Sequence, residues 1–468
     1  MVPSPNVGLS SPPNKSEHLL HNDTIVALAT APGRAALAIL RMSGPAVRQI
    51  AGSLLHNVAE LRPRYAQLAR IVDADGALID EGVALFFAGP ASATGEDVLE
   101  LHVHGSPLVV ELTLNAALAA GARLAQPGEF TKRAFLAGKL DLSAAEAVAD
   151  LIDATHRSAA RAAAGRLAGG LAGQIQAQRE RLQRHLEELA AAIDFPDEVA
   201  EPSRSDLIHN LGEIRGELQR LIADAPCGRL VREGASVALV GPPNAGKSSL
   251  LNALLGEERA LVSPIPGTTR DTIEEAIECG GLLLRLIDTA GLREGADLLE
   301  QAGIERSRRT LEQARLVLIV LDGSEPLDAS AQAVLAATAT QARLIFLNKA
   351  DLGQVVLPSA LPHDVACVVG SVFDGASLEA LRGALRFALV GEGADLERAS
   401  LARVREVDAA REALAALELA AETLHAGVAM DFVSGDLLHA LAALGKITGD
   451  TVTEEVLTGI FARFCIGK

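Results

Sequence analysis

The sequence predicts a multidomain α/β protein in which a second α/β domain is inserted between two helical segments. Three observations support this fold class. The chain has 468 residues, and a length of this kind is usually divided into domains of roughly 100 to 200 residues. Short apolar stretches alternate with helix-length segments in residues 24–138 and again in residues 234–391. Segments rich in Ala, Leu, Arg and Glu lie on both sides of the second alternation.

These changes in composition divide the chain into five parts. The first 22 residues include several prolines and no apolar centre of a signal peptide, so we expect a flexible tail. The predicted boundaries are 1–22 for the tail, 23–138 for a small α/β domain, 139–232 and 393–468 for the two parts of a helical domain, and 233–392 for the inserted domain.

The first α/β domain is predicted from short strand-like runs separated by Gly or Pro. The runs are residues 24–30, 36–40, 83–87 and 98–103. From residue 141 to about residue 223 the pattern is helical. There Leu182, Leu186, Leu189 and Ile193 recur at spacings of four, three and four, which places them on one face of a helix. A similar pattern resumes after residue 393, so we expect the two helical parts to pack together.

The inserted domain is predicted to contain a mostly parallel sheet wrapped by helices. Its apolar strand-like runs are residues 236–240, 282–287, 316–321, 343–347 and 365–369. Gly280-Gly281 separates two such runs and is typical of a hairpin turn, which would add one antiparallel strand.

Charge and cysteine content exclude several classes of protein. The net charge of −18 argues against a surface that binds nucleic acid everywhere, because phosphate binding requires clustered Lys and Arg. The most basic stretch lies between His156 and Arg184, and it is interpreted first as a solvated helix face and second as a local RNA contact. The cysteines form no C-x-x-C pair and no apolar run reaches the ~20 residues of a membrane span. We expect a cytoplasmic protein.

A phosphate-binding loop is indicated by Gly241-Pro-Pro-Asn-Ala-Gly246-Lys247-Ser248, which follows a strand and precedes a helical pattern. Glycines allow backbone N–H groups to close around phosphates at a helix N-terminus. Lys247 would neutralise the β and γ oxygens, and the Ser248 hydroxyl would bind Mg²⁺.

Two further motifs end later strands of the same domain. Asp288-Thr-Ala-Gly291 offers a carboxylate that can reach Mg²⁺ through water and a Gly291 N–H for the γ-phosphate. Asn348-Lys349-Ala350-Asp351 offers an Asp351 carboxylate that can accept from N1–H and the 2-amino group of guanine. Adenine presents an acceptor at N1 and would leave that carboxylate unpaired. The combination predicts GTP as the nucleotide.

The loop between the first two motifs contains Gly267-Thr-Thr-Arg-Asp271, in which Thr269 is a candidate second hydroxyl for Mg²⁺ and a γ-phosphate sensor. Leu292 follows Gly291, and a leucine cannot orient an attacking water. The residues alone leave three acidic candidates for that role, Glu294, Asp297 and Glu300.

These motifs together resemble those of the MnmE (TrmE) family of tRNA-modification GTPases, from about residue 22 to the C-terminus. The resemblance also rests on segments outside the inserted domain: residues 24–34, 94–100, 127–130 and 139–142, and the terminal Phe464-Cys-Ile-Gly-Lys468. It implies a folate-binding-type N-terminal domain and an inserted Ras-like P-loop GTPase domain.

For the inserted domain, the resemblance implies K⁺-dependent dimerisation across the nucleotide face, with K⁺ in place of an arginine finger. Asn244 would bind K⁺ through its side chain, aided by the Ser263 and Ile265 carbonyls and by Thr268. The resemblance selects Glu300 as the catalytic residue that positions water. The GTP-binding positions that it implies are Asn244, Ala245, Gly246, Lys247, Ser248, Ser249, Ser263, Thr268, Thr269, Asp288, Thr289, Ala290, Gly291, Asn348, Lys349, Asp351 and Ser371.

For the N-terminal domain, the resemblance implies binding of 5-formyl- or methylene-tetrahydrofolate and a constitutive homodimer. The corresponding positions are Arg41, Glu100, Lys139 and Lys468. A carboxylate such as Glu100 can accept from the pterin N3–H and 2-amino group, while cations suit the glutamate tail. Cys465 is a candidate reactive thiol near the C-terminus.

Two further features of the sequence bear on the predicted sites. Ser371-Val372 stands where the family usually has Ser-Ala in its fifth nucleotide motif. His102-x-His104 has two metal-ligand residues on one strand face but no third ligand beside them, so we predict no metal site there.

The expected function is therefore GTP hydrolysis coupled to modification of C5 of the wobble uridine in certain tRNAs. The resemblance implies an MnmG-type FAD-dependent partner in a heterotetramer, with a folate as the one-carbon donor. The alternatives are a switch GTPase of ribosome assembly without modifying activity, and a P-loop ATPase. The first usually has a second nucleotide domain or a KH domain, and the second is opposed by the Asn348–Asp351 motif.

Overall fold

The computed structural model describes residues 23–257, 274–288, 311, 313–398 and 400–468. The contacts within the chain define two compact units. The first comprises residues up to Ala149 together with Gly445–Lys468, and the second is Asp150–Leu444. Residues 445–468, which the sequence assigned to the helical domain, thus cluster with the N-terminal unit. The five predicted domain boundaries stay predictions.

The first unit contains a six-stranded sheet in the order β3-β4-β5-β2-β1-β6, antiparallel except for the parallel β1–β6 pair. The strands are β1 (Ile25–Leu28), β2 (Leu37–Ser43), β3 (Ala66–Val72), β4 (Leu78–Phe87), β5 (Val98–His104) and β6 (Arg123–Leu124). Helices α1 (Val47–Leu54) and α2 (Pro107–Ala119) cover one face and bury a core that includes Leu40, Phe86 and Leu101. Strands β3 and β6 were not predicted.

A second hydrophobic cluster of this unit joins its two chain segments. Helices α3 (Glu129–Leu136) and α13 (Glu454–Phe461) pack together, with the start of α4 (Leu142–Asp153) beside them. The ring centroids of Phe135 and Phe461 are 6.4 Å apart, and those of Phe461 and Phe464 are 5.3 Å apart. These aromatic contacts fix the C-terminal segment against the N-terminal domain.

The helices of the second unit come from both sides of the inserted domain, as predicted. They are α5 (Arg157–Leu167), α6 (Gly170–Asp194), α7 (Arg204–Glu233), α11 (Val404–His425) and α12 (Met430–Thr448), the last of which extends into the first unit. A fully buried ion pair joins Arg166 of α5 to Glu406 of α11, and Arg215 of α7 lies 3.4 Å from Glu418 of α11.

Three of the six arginines in the basic stretch from His156 to Arg184 pair with carboxylates. Arg161 lies 2.5 Å from Glu397, Arg181 lies 2.5 Å from Glu213, and Arg166 is buried with Glu406. Carboxylates neutralise these three guanidinium groups, and the interpretation of the stretch as a solvated helix face stays a prediction.

The inserted domain contains a six-stranded sheet in the order β12-β11-β10-β7-β9-β8, parallel except for β8. The elements are β7 (Ala235–Val240), α8 (Lys247–Glu257), β8 (Glu274–Cys279), β9 (Leu282–Asp288), β10 (Leu316–Asp322), α9 (Ala329–Ala337), β11 (Arg343–Asn348), β12 (Ala366–Val369) and α10 (Gly375–Val390). The predicted hairpin is confirmed, because Gly280 and Gly281 turn at φ of 56° and 85° between β8 and β9. Within the described ranges, no helix is long and apolar enough to cross a bilayer.

Candidate functional site

The phosphate-binding loop lies between the end of β7 and the start of α8, as predicted. Two glycines allow its close packing. A Cβ at Gly241 would lie 2.2 Å from the Val320 carbonyl oxygen, and one at Gly246 would lie 2.2 Å from Asn348 Nδ2. Asn244 adopts the left-handed region at φ 63°, a conformation that costs a non-glycine residue free energy and is concentrated at functional sites.

Lys247 and Ser248, which carry the cation and the hydroxyl of this loop, lie at the start of α8. Lys247 is the first residue of α8, and its Nζ donates to the carbonyl oxygens of Gly241 and Pro242, both at 2.8 Å. Ser248 and Ser249 occupy the next positions and are exposed. An ammonium held over the loop and a helix N-terminus below it together attract phosphate oxygens.

Asn348 is a buried connector between three loops of the site. Its Nδ2 donates to the Ala245 carbonyl at 2.9 Å, and its Oδ1 accepts from the Val372 N–H at 3.2 Å. The side chain therefore joins the phosphate loop, the end of β11 and the loop after β12. The hydrogen bonds of the Asn348 side chain to the backbone therefore fix these loops relative to one another.

Lys349 and Asp351 follow at the carboxyl end of β11. Lys349 has a left-handed backbone at φ 65°, and its Nζ lies 2.5 Å from Asp322 Oδ2. The Asp351 side chain is exposed in the 3-10 turn Ala350–Leu352. Ser371 is buried, and its Oγ accepts from the Phe373 N–H at 3.2 Å. These residues thus lie along one edge of the sheet.

Asp322 is a member of this edge that sequence reasoning missed. It ends β10, directly opposite Asn348 in the parallel register, and also accepts from the N–H and Oγ of Ser324. Burial pushes the pKa of Asp322 upward, but the hydrogen bonds from Lys349 and Ser324 outweigh it and leave the pKa below its ordinary value. The carboxylate is therefore charged and holds the Lys349 ammonium in place.

The second predicted Mg²⁺ motif is described only at its start. Asp288 ends β9, opposite Leu239 of β7, so its backbone lies at the same sheet edge as the phosphate loop. The remaining predicted positions lie outside the described residues: Ser263, Ile265, Thr268, Thr269, Thr289, Ala290, Gly291 and Glu300.

Two side chains predicted for the second site lie on the sheet of the N-terminal unit, on the face opposite the Leu40 core. Arg41 of β2 and Glu100 of β5 are directly opposite each other, and Glu100 Oε1 accepts from Arg41 Nε at 2.9 Å and from its NH2 group at 2.8 Å. The other oxygen, Oε2, faces His102 Nε2 at 3.4 Å. Neither side chain is fully exposed, and the pair is well placed for charge-assisted recognition of a polar ring.

Phe130 connects the Arg41–Glu100 pair to the C-terminus. The Arg41 guanidinium lies 5.9 Å from the Phe130 ring centroid, and the Phe130 N–H donates to the Lys468 carbonyl oxygen at 3.2 Å. Cys465 is exposed on the same segment, and its carbonyl oxygen accepts from the Gly128 N–H at 3.4 Å. The structure therefore brings Arg41, Glu100 and Lys468 to one region.

Lys139 lies beside a neighbouring loop of the same unit. A Cβ at Gly95 would lie 3.6 Å from Lys139 Cε. A partly buried ion pair holds this loop, because Arg133 Nη1 lies 3.0 Å from Glu96 Oε2, which also accepts from Ser43 Oγ at 2.7 Å. Ser43 ends the strand that carries Arg41. Arg133, Glu96 and Ser43, which position this loop, were not among the predicted site residues.

The two histidines considered for a metal have other partners. His104 Nδ1 lies 2.8 Å from Asp80 Oδ1, and His102 faces Glu100. Among the described residues, no group of three or more His, Cys, Asp or Glu side chains is arranged to hold a metal ion.

The fold and the nucleotide loops define a class of protein with a P-loop and a guanine-recognition motif on a mostly parallel sheet. Two known protein families match this chain. Residues 24–139 match the family described as GTP-binding protein TrmE N-terminus, and residues 142–465 match the MnmE helical domain. The tRNA modification GTPase MnmE of Chloroflexus aurantiacus is 44% identical over 453 residues, covering 96% of this chain and 100% of the relative.

A second relative gives the same result. The tRNA modification GTPase MnmE of Xanthomonas oryzae pv. oryzae is 45% identical over 452 residues, covering 95% of this chain and 99% of the relative. The chain belongs to the MnmE family, and it is a GTPase with a role in tRNA modification.

Solved structures of other GTP-binding proteins match part of this chain weakly. The G domain of the T. maritima FeoB iron transporter is 26% identical, covers 33% of this chain and 98% of its own, and has a TM-score of 0.27. Aquifex aeolicus Era is 27% identical, covers 40% of this chain and 67% of its own, and has a TM-score of 0.28. Scores of this size are too low to add to the fold assignment.

Proposed function

We propose that this GTPase, acting with a flavin-dependent partner protein, modifies C5 of the wobble uridine of certain tRNAs to an aminomethyl-type group. The GTP-binding part of this proposal is supported by one observation: the Asn348 side chain joins the phosphate loop to the loops after β11 and β12. Because one buried side chain links the phosphate end to the guanine end, a GTP molecule would meet a preformed surface.

In the proposed site, Lys247 and the N-terminus of α8 bind the phosphates, and Ser248 binds Mg²⁺ together with Thr269. Asp351 accepts from the guanine edge while Asp322 holds Lys349 beside it. The exposed Asn244 side chain would bind K⁺, a hard cation that suits its amide oxygen. Glu300 is proposed to position the attacking water.

The N-terminal site would bind a tetrahydrofolate. Its chemistry fits: Arg41 engages one oxygen of Glu100 at 2.8–2.9 Å, while the other oxygen has only the longer 3.4 Å contact with His102. That oxygen keeps acceptor capacity for the N3–H and 2-amino group of a pterin. The bound folate would supply the one-carbon unit, and Arg41, Lys139 and Lys468 would orient it and balance its carboxylates.

The partners in this proposal are a second copy of the chain, an MnmG-type FAD-dependent protein and tRNA. The alternative of a ribosome-assembly GTPase lacks support from the relatives, which are named tRNA modification GTPases and are matched over 95–96% of this chain.

Nucleoside mass spectrometry of tRNA tests the modification claim. Cells that lack the chain should accumulate wobble uridine without the aminomethyl-type group, and a plasmid copy should restore it. Copies with Lys247→Ala or Glu100→Gln should not. Unchanged wobble uridine in the deletion strain would refute the modification claim while leaving GTP hydrolysis intact.

Steady-state GTP hydrolysis in K⁺ and in Na⁺ tests the cation separately. We expect the rate in K⁺ to be higher by at least about 10-fold, since the cation would stabilise charge that develops between the phosphates. Equal rates would remove the role given to Asn244.

A further inference from the structure

His102 stands beside the carboxylate of the proposed folate site without an assigned role. Its Nε2 lies 3.4 Å from Glu100 Oε2, the oxygen that the Arg41 guanidinium does not engage. The His102-x-His104 pair does not complete a metal site among the described residues. The polar contact that the structure gives the His102 ring is therefore to the carboxylate proposed to bind the pterin.

The sheet fixes His102 as firmly as it fixes Glu100. His102 is paired with Val83 of β4 and with Ile39 of β2, so ladder hydrogen bonds hold its backbone from both sides. Residues two apart on a strand share a face, which places His102 beside Glu100 on the face opposite the Leu40 core. The two side chains are 23% and 15% exposed, so a ligand can reach polar atoms that are partly shielded from water.

Glu100 Oε2 and His102 Nε2 offer an acceptor and a donor side by side. Because a carboxylate only accepts, the tautomer with a hydrogen on Nε2 fits this contact. A pterin presents the complementary pair on one edge, where N3–H is a donor and the neighbouring O4 is a carbonyl acceptor. Glu100 can accept only from the donors of that edge. Without a further donor O4 would be left unpaired, and a buried carbonyl without a hydrogen bond costs free energy.

We propose that His102 recognises the 4-oxo group of the pterin by donating from Nε2 to O4, while Glu100 accepts from N3–H and the 2-amino group. The inference rests on the proposed folate site at Arg41 and Glu100. As the ligand binds, the Nε2–H group exchanges Glu100 Oε2 for the ligand carbonyl, and Oε2 becomes available to N3–H. His102 is thus a specificity residue that selects a carbonyl at this position of the pterin, whereas Glu100 selects the donors beside it.

Calorimetry on the purified full chain tests this role with 5-formyltetrahydrofolate and its 4-thioxo analogue. The analogue keeps N3–H and the 2-amino group, but its sulfur is a weaker acceptor than oxygen. The unaltered chain should bind the 4-oxo ligand at least about fivefold more tightly than the analogue. His102→Phe keeps a planar ring without a donor and should weaken the 4-oxo ligand about 10-fold. The analogue should lose less, so the two affinities should come within about twofold of each other.

Two further variants separate recognition of O4 from support of Glu100. His102→Gln retains a side-chain N–H donor and should keep most of the preference for the 4-oxo ligand. His104→Phe is the matched control, because His104 lies two residues along the same strand but faces Asp80, with Nδ1 2.8 Å from Oδ1. It should show the preference of the unaltered chain. If His102 only supported Glu100, both ligands would lose affinity equally, since both present the same N3–H.

Nitrogen NMR of the histidine-labelled, unaltered chain gives a readout that does not depend on how well His102→Phe folds. The Nε2–H signal of His102 is assigned by its loss in His102→Gln. Saturating 5-formyltetrahydrofolate should shift that signal, and the 4-thioxo analogue should shift it less, because the hydrogen bond to sulfur is weaker.

Two results would overturn the inference: the same ratio of the two affinities in the unaltered chain and in His102→Phe, or a His102 signal that ignores bound 5-formyltetrahydrofolate. In either case, normal binding of 5-formyltetrahydrofolate by the unaltered chain would leave the folate site itself standing. Failure of the unaltered chain to bind 5-formyltetrahydrofolate would instead refute the folate site, and the role of His102 with it.

Discussion

The two six-stranded sheets of this chain present their polar side chains in different ways. In the N-terminal sheet, Arg41 and Glu100 stand in the middle of strands, paired across the register of β2 and β5. In the inserted domain, Asn244, Lys349 and Asp351 stand beyond the strand ends and Lys247 begins α8, and Asn244 and Lys349 have a left-handed backbone. One site is built on strands and the other on loops.

The difference shows which contacts fix the side-chain positions in each site. Ladder hydrogen bonds on both neighbouring strands fix Glu100, so its geometry does not depend on a loop. The nucleotide site depends on cross-links such as Asn348 to Ala245 and Val372, and on the ion pair of Asp322 with Lys349. Loops at the ends of parallel strands are suited to switching, since their positions can change with the ligand.

The largest effect is expected for Asp351→Asn in the loop-built site. The variant loses the acceptor for guanine N1–H and 2-amino groups, so GTP affinity should fall by about 100-fold or more. Xanthine has a carbonyl in place of the 2-amino group and should bind the variant better, because the new amide can donate to it. Calorimetry with GDP and XDP measures both changes. Undiminished GDP affinity would show that Asp351 is not the guanine acceptor.

A smaller effect, confined to the strand-built site, is expected for Arg41→Ala. Glu100 would lose two hydrogen bonds at 2.8–2.9 Å, and tetrahydrofolate affinity should fall about 10-fold. The rate of GTP hydrolysis should be unchanged. Arg64→Ala is a matched control, because Arg64 is an exposed arginine of the same unit. Equal folate affinity in the two variants would count against the proposed pocket.

The smallest effect concerns pH and a residue outside both sites. His156 is only 6% exposed, and burial lowers its pKa below the ordinary value, although Glu278 partly offsets this. Below about pH 6.5 the unfolded chain binds a proton that the folded chain does not. The free energy of unfolding should therefore fall as pH drops through that range, with a slope of at most ~1.4 kcal/mol per pH unit from this residue.

Thermal denaturation between pH 8 and 5.5 checks this expectation. His156→Phe keeps a planar ring without a titrating group and should show a shallower loss of stability on acidification. His363→Phe, at an exposed position, should behave like the unaltered chain. An identical pH dependence in His156→Phe would mean that other groups cause the acid sensitivity.

The geometry of the loop-built site is easier to predict from sequence than that of the strand-built one. Residues 241–248 are contiguous, and their glycines are required by contacts as close as 2.2 Å, so a local motif reports a local geometry. Arg41 and Glu100 are 59 positions apart. The family resemblance supplied both residues, but only the antiparallel register shows that they pair.

Other elements were missed for identifiable reasons. Asp322 meets Lys349 because β10 and β11 are parallel and in register, and no local motif marks an aspartate at a strand end. Strand β3 exposes Leu68 and Arg70 alternately on its outer face, and this mixture of apolar and charged residues gave no clear period. Strand β6 has two residues, too few for any pattern.

The most direct test of the central claim, that loops at the strand ends of the inserted sheet form one GTP-hydrolysing site, is phosphate release by the purified chain. With GTP as substrate, the unaltered chain should release phosphate, and a 100-fold excess of ATP should not slow it, because adenine cannot satisfy Asp351. Lys247→Ala should release almost none. Competition by ATP, or undiminished release by Lys247→Ala, would contradict the account.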